Sequence, residues 1–166
     1  MLEKVIVRTA VPADVEAIVA VLRANLADPS LFQRSAAEIT AQLPEYLVAV
    51  VRTSGVVGCA ALHCYPDQSA ELHSVAVLPD RQGRRIGEQL VRAGLQRATQ
   101  CGVAKVWLGT MKPGYFARFG FVPMWRWRIP LGVMWPKIKS VFAQPPARWL
   151  PALLGRHTFM VRQERP

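Results

Sequence analysis

Apolar residues at positions 15, 18, 19, 22 and 26 of "PADVEAIVAVLRANLA" recur at helical spacing, and the run before them, Val5 to Arg8, reads as a strand. Pro12 suits the helix entry. "SAAEITAQL" opens on Ser35 with Glu38 three residues later, a capping-box start for a short second helix that Pro44 ends. "YLVAVVR" and "VVGCAALHCY" read as strands joined in a hairpin at Thr53, Ser54 and Gly55. After a turn at Pro66 to Ser69, "AELHSVAVL" reads as the next strand. Apolar or small residues at 86, 90, 91, 94, 95 and 98 predict a long amphipathic helix ending near Gly102. "KVWLGT" predicts a strand and "PGYFARF" a short helix stopped by Gly120. "FVPMWRWRI" predicts another strand, with its tryptophans on one face and its arginines on the other. "HTFMVRQ" closes the pattern as a last strand.

The predicted order is therefore β-α-α-β-β-β-α-β-α-β, an insertion, then β. Such an order in 166 residues, 51% of them hydrophobic, implies one α/β (α+β) domain over 1–166. Its single mixed sheet carries helices on both faces. The segment at about 130–155, rich in proline, tryptophan and basic residues, is read as an insertion before the last strand. No apolar run approaches the ~18–20 residues that span a bilayer. "MLEKVIVRTA" lacks a signal-peptide core, so a cytoplasmic location is expected.

Charge changes the picture only in the last third. Residues 1–111 hold 11 basic and 10 acidic side chains, whereas residues 112–166 hold 10 basic ones and only Glu164. Trp125, Trp127, Trp135 and Trp149 lie in the same region. This suggests an anionic partner or a solvated basic face. Cys59, Cys64 and Cys101 make an odd count that argues against a disulfide framework. Cys59, His63 and Cys64 are close in sequence. However, His63 and Cys64 point to opposite faces of a strand and no second ligand pair lies at metal spacing, so no metal site is expected.

The stretch "VAVLPDRQGRRIGEQLV" carries the most specific chemistry. A strand hands over to a helix through a basic, glycine-containing turn. Free N–H groups and a partial positive charge at the helix start attract anions such as phosphate. An ordinary solvated connection is the alternative reading. Three stretches together resemble the GNAT superfamily of N-acetyltransferases. "AELHSVAVLP" resembles its central strand, "DRQGRRIGEQL" its phosphate loop, and "YFARFGFVP" its short helix ending in Gly-Phe. The resemblance covers roughly residues 3–125, and within the superfamily it is greatest to the acetyltransferase domain of N-acetylglutamate synthases. It implies the acyl-CoA N-acyltransferase fold and acetyl-CoA as cosubstrate.

The resemblance implies that Gln82, Gly83, Arg84, Arg85, Ile86, Gly87 and Glu88 bind the cofactor's phosphates, with Arg81 adding charge. It also implies that Val75, Ala76 and Val77 pair with the pantetheine and offer an oxyanion donor. Two positions depart from the family pattern. Arg85 stands where the family has its first loop glycine; arginine tolerates a helical conformation, so the loop need not break. Phe116 stands where many members have a tyrosine that protonates the departing thiolate. It is expected against the cofactor, and Tyr115, one residue earlier, is the displaced acid or a packing residue.

A protonated amine cannot attack, so a base is required. Glu71, the only acid in its strand, is the expected base. His73 shares its face as a base, a substrate contact or a satisfied strand histidine, and Thr110 is a weaker candidate. The expected acceptor is a small-molecule primary amine, with the α-amine of a small carboxylated amino acid such as glutamate favoured. Lys112, Arg118, Arg126 and Arg128 would partner its carboxylates. A catalytically silent CoA-binding module and a basic nucleic-acid or membrane-surface protein are the competing classes, and no nucleic-acid partner is expected. The insertion is compatible with covering the site, pairing two chains as a homodimer or standing free.

Overall fold

A tight hairpin, a bulged hairpin and one helical crossover determine how the strands line up. The computed structural model describes residues 4–28, 31–125 and 158–163. Its strands are β1 (Val5–Thr9), β2 (Tyr46–Val51), β3 (Gly55–Cys64), β4 (Ser69–Val77), β5 (Lys105–Thr110), β6 (Val122–Met124) and β7 (Thr158–Gln163). Its α-helices are α1 (Val15–Ala24), α2 (Ala36–Ala41), α3 (Ile86–Gln100) and α4 (Pro113–Ala117). The order is the predicted one. β6 is shorter than the strand read from "FVPMWRWRI", and Arg126, Trp127, Arg128 and the insertion lie outside the described residues.

The strands form one sheet in the order β1-β2-β3-β4-β5-β7-β6. Gly55, at φ +71°, turns β2 into β3. α3 carries the chain from β4 over to β5, which makes that pair parallel. The other neighbours are antiparallel.

Alternation along β3 explains why its run is continuously apolar. Ala60 and Leu62 face a cluster built on Leu90, Val91 and Leu95 of α3. Cys59 and Ala61 face a second cluster containing Ile18, Val21 and Leu22 of α1 and Ile39 of α2. Both faces are covered, so both parities must be apolar. Trp107 of β5 centres a third cluster with Tyr65, Met124, Phe159 and Val161. The capping box of α2 forms as read: Ser35 N–H donates to Glu38 Oε2 at 2.7 Å and Glu38 N–H to Ser35 Oγ at 3.2 Å.

Gly58 allows β4 and α3 to approach β3. A Cβ there would stand 2.9 Å from the Ala76 carbonyl oxygen and 3.1 Å from Leu90 Cδ1. The first of these is backbone and yields only if β4 moves. Gly58→Ala should therefore cost about 1–3 kcal/mol. The thermal midpoint should fall by roughly 3–10 °C, readable by circular dichroism. An unchanged midpoint would mean that β4 and α3 shift freely.

Candidate active site

β4 pairs with β5 only where Ser69, Ala70 and Glu71 oppose Lys105, Val106 and Trp107. Beyond Glu71 the two strands part. β4 stays on β3 as far as Val77, opposite Gly58, and β5 stays on β7 as far as Thr110, opposite Thr158. The facing edges are left open among the described residues. A bulge produces the divergence: the register slips between Cys59 and Ala61 of β3, and across from it Ser74 takes a left-handed φ of +53°.

The bulge determines what the open edge offers. The Leu78 N–H donates to the Val57 carbonyl at 2.9 Å, and the Ala76 carbonyl also faces β3. Across a trans peptide, C=O and N–H point opposite ways, so the Val77 N–H faces the opening. The Ser74 carbonyl accepts from the Cys59 thiol at 3.5 Å, which turns the Val75 N–H away from β3 as well. No described residue accepts from either N–H. The Val77 carbonyl, by contrast, is taken, accepting from Asn25 Nδ2 at 3.0 Å and Gln82 Nε2 at 3.1 Å.

At the end of β4 the chain makes a 3-10 turn over Pro79–Arg81 and then enters α3 through the predicted loop. Gly83 has φ +76° and Arg85 φ +60°. Arg85 thus adopts the left-handed conformation natural to glycine rather than a tolerated right-handed one, a cost of about 1–2 kcal/mol. The Gln89 N–H is the first to bond back, to the Arg85 carbonyl at 3.1 Å. The N–H groups of Ile86, Gly87 and Glu88 precede it as the unpaired donors of the first turn. Side chains here do different work from the backbone. Gln82 turns inward to the Val77 carbonyl and to Asn25, and Glu88 pairs with Arg92 at 3.0 Å. Arg81 reaches Ser54 Oγ at 2.7 Å and Asp80 at 3.3 Å, and Arg84 and Arg85 are exposed.

Tyr115 and Phe116 of α4 separate as their helical offset predicts. Phe116 is buried against Phe121, ring centroids 6.1 Å apart. Tyr115 is half-buried, and its hydroxyl lies 2.7 Å from where a Cβ on Gly87 would stand. Glycine at 87 therefore makes room for the Tyr115 hydroxyl on the first turn of α3, beside Val77. The Arg118 guanidinium caps the Tyr115 ring at 4.1 Å.

Glu71 is buried at the point where the strands part. It accepts a 3.1 Å hydrogen bond from the Tyr65 hydroxyl. Burial, and then the Glu71 charge, push the Tyr65 phenol far above its usual range, so it remains a donor. His63 lies opposite Glu71 across the β3–β4 pair and contacts Glu45 Oε1 at 2.7 Å. His73 Nδ1 lies 3.0 Å from Ser74 Oγ, and its Nε2 is 4.0 Å from Glu45. Thr110 is buried and its hydroxyl accepts the Lys112 N–H at 2.9 Å, a local turn contact.

Of the cations expected to partner a carboxylate, Lys112 pairs with Asp28 at 3.1 Å and Arg118 stacks on Tyr115. Arg126 and Arg128 lie outside the described residues. Sequence reasoning did not single out Arg34. Its Nε is buried with no hydrogen-bond partner among the described residues, and its charge acts on the buried Tyr46 hydroxyl. Tyr46 in turn meets His73 edge-on at 6.3 Å, which places Arg34 on the side of the sheet that carries Glu71. Asn25, Tyr65 and Glu45 were missed too. A polar residue in an otherwise apolar strand end was the available signal for Tyr65; Asn25 and Glu45 gave none.

Comparison with known proteins bears on the family and the fold. The acetyltransferase (GNAT) family model matches residues 17–121. An amino-acid acetyltransferase of Pasteurella multocida is 32% identical over 117 residues, which are 69% of this chain and 26% of that protein. The chain thus spans about a quarter of the length of such relatives. An uncharacterized N-acetyltransferase of Chlorobaculum tepidum is 30% identical over 69% of this chain and 74% of its own length. Among solved structures, Rv2747 of Mycobacterium tuberculosis in a complex with CoA superposes with a TM-score of 0.81 at 26% identity, over 96% of this chain and 99% of that one. The N-acetylglutamate synthase of Neisseria gonorrhoeae, complexed with coenzyme A and N-acetyl-glutamate, shares the fold at a TM-score of 0.79 and 20% identity, over 98% of this chain and 36% of that one. With the family model covering most of the chain, this protein belongs to the GNAT family of acetyltransferases.

Proposed function

We propose that the protein is an N-acetyltransferase that moves the acetyl group of acetyl-CoA to the α-amine of a small carboxylated amino acid. The observation that carries this reading is the open β4 edge, with the Val75 and Val77 N–H groups at one end of a slot and buried Glu71 at the other. The residues present fit the cosubstrate. The free N–H groups of residues 86–88 and the guanidinium groups of Arg84 and Arg85 suit a pyrophosphate. The open edge suits an amide-bearing arm laid down as an added strand.

When bound, acetyl-CoA supplies an acyl thioester. Glu71, directly or through water, takes a proton from the acceptor ammonium so that the amine can attack. The Tyr65 hydroxyl orients that carboxylate. The Val75 or Val77 N–H stabilises negative charge that develops on the reacting carbonyl oxygen. The Tyr115 hydroxyl, between Gly87 and Val77, is the proton donor to the leaving sulfur in place of the position that Phe116 occupies. Arg34, whose charge also acts on Glu38, is a described cation on the Glu71 side of the sheet that could meet an acceptor carboxylate, and a buried carboxylate needs such a partner. The names of the amino-acid acetyltransferase relatives support the same acceptor class.

Titration calorimetry should show CoA binding to the unmodified protein, and its absence would end this reading. In a thiol-release screen, glutamate or another small carboxylated amine should exceed spermidine and aminoglycosides at matched concentration. The reverse order would overturn the acceptor class and leave acetyl transfer standing. Glu71→Gln should lower turnover by ~10²–10⁴ at neutral pH with CoA affinity little changed; an unaltered pH–rate profile would remove Glu71 as the base. Arg85→Gly should gain roughly 0.5–1 kcal/mol of stability by relieving the left-handed strain. The same change should weaken CoA binding at low salt, with the difference shrinking as salt rises. Equal affinity at all salt concentrations would show that the Arg85 side chain does not face the phosphates.

A further inference from the structure

We infer that Asn25 is a positioning residue that locks the cofactor strand and the phosphate loop into one frame, an inference that rests on the function proposed above. Asn25 follows the last turn of α1 and is half-buried. Its Nδ2 donates to the Val21 carbonyl at 2.8 Å and to the Val77 carbonyl at 3.0 Å. Its Oδ1 accepts from Gln82 Nε2 at 3.1 Å, and Gln82 Nε2 also donates to the Val77 carbonyl at 3.1 Å. Both N–H groups and the oxygen of the Asn25 amide are therefore used. Flipping either amide would set a carbonyl oxygen against the Val77 carbonyl, so the network permits one arrangement.

The consequence lies at the slot. Val77 presents both its N–H and its carbonyl toward the opening, and the network occupies only the carbonyl. An incoming arm therefore meets the N–H groups of Val75 and Val77 without a competing acceptor at Val77. The same amide holds Gln82, so the strand end and the loop before α3 move together. Three residues after Asn25, Asp28 pairs with Lys112 at 3.1 Å in the loop between β5 and α4. The chain leaving α1 thus touches both sides of the opening, Asn25 on the β4 side and Asp28 on the α4 side.

Calorimetric titration of CoA into three variants and the unmodified protein tests this. Asn25→Ala should weaken CoA binding about tenfold, equivalent to 1.4 kcal/mol. It should raise the KM for acetyl-CoA far more than it lowers kcat. Asn25→Asp keeps the size and the acceptor for Gln82 but loses the donor to Val77, and should weaken CoA binding at least as much. Ser35→Ala removes a helix cap elsewhere and serves as the stability control, with CoA affinity unchanged. The inference is overturned if both Asn25 variants bind CoA as the unmodified protein does, or if Ser35→Ala loses as much affinity as they do. If Asn25→Ala does not fold, the Asn25→Asp titration decides alone. Failure of the unmodified protein to bind CoA would instead refute the proposed function.

Discussion

Everything at the candidate site depends on β4 and β5 separating after Glu71. Backbone donors inside a sheet are ordinarily consumed by the neighbouring strand. Here the bulge at Ser74 breaks the β3–β4 register, and β5 leaves β4 and continues along β7. Two N–H groups are thereby held at fixed positions without a partner among the described residues. The same divergence leaves Glu71 at the floor of the opening, where the last parallel pair ends. A site of this kind needs little loop machinery, because the strands themselves aim the donors.

The flanking helices serve this opening unequally. α3 points its unpaired first turn at one end and, through Leu90, presses on Gly58 and the strand beside it. α4 brings the Tyr115 hydroxyl over that same turn. α1 contributes through its end rather than its face, by way of Asn25. The two helices that bury large apolar stripes, α1 and α3, thus serve the opening from their termini, and the short α4 serves it with a side chain.

Much of this was legible in the sequence. The element order followed from apolar spacing, because a sheet covered on both faces imposes near-continuous apolar runs on β2 and β3, and burial of one face imposes an amphipathic stripe on α3. The loop from Gln82 to Gly87 stood out as a basic, glycine-containing turn between a strand and a helix, and the fold has that turn between β4 and α3. What the sequence hid depends on contacts between distant positions. Gln82 reads as a phosphate ligand, yet its side chain bonds to Asn25, 57 residues earlier. Arg85 reads as a lost glycine, yet the fold keeps the glycine conformation and forces arginine into it. Tyr65 reads as a strand end, and only the hairpin register brings it to Glu71. Lys112 and Arg118 read as free cations, and pairing with Asp28 and stacking on Tyr115 engage them. Local pattern fixes which elements exist, whereas partner choice is settled by tertiary geometry.

The parallel contact between β4 and β5 is three residue pairs long. In mechanical terms the sheet is two stiff plates, β1–β4 and β5–β7–β6, riveted at one corner and spanned by α3. A plate pair hinged at a corner has one soft mode, the opening and closing of the wedge opposite the rivet. Thermal motion in this protein should therefore concentrate in the angle between the plates, while each plate remains rigid within itself. Whatever fills the wedge with backbone-like hydrogen bonds acts as a second rivet, and it stiffens the molecule far beyond the residues it touches.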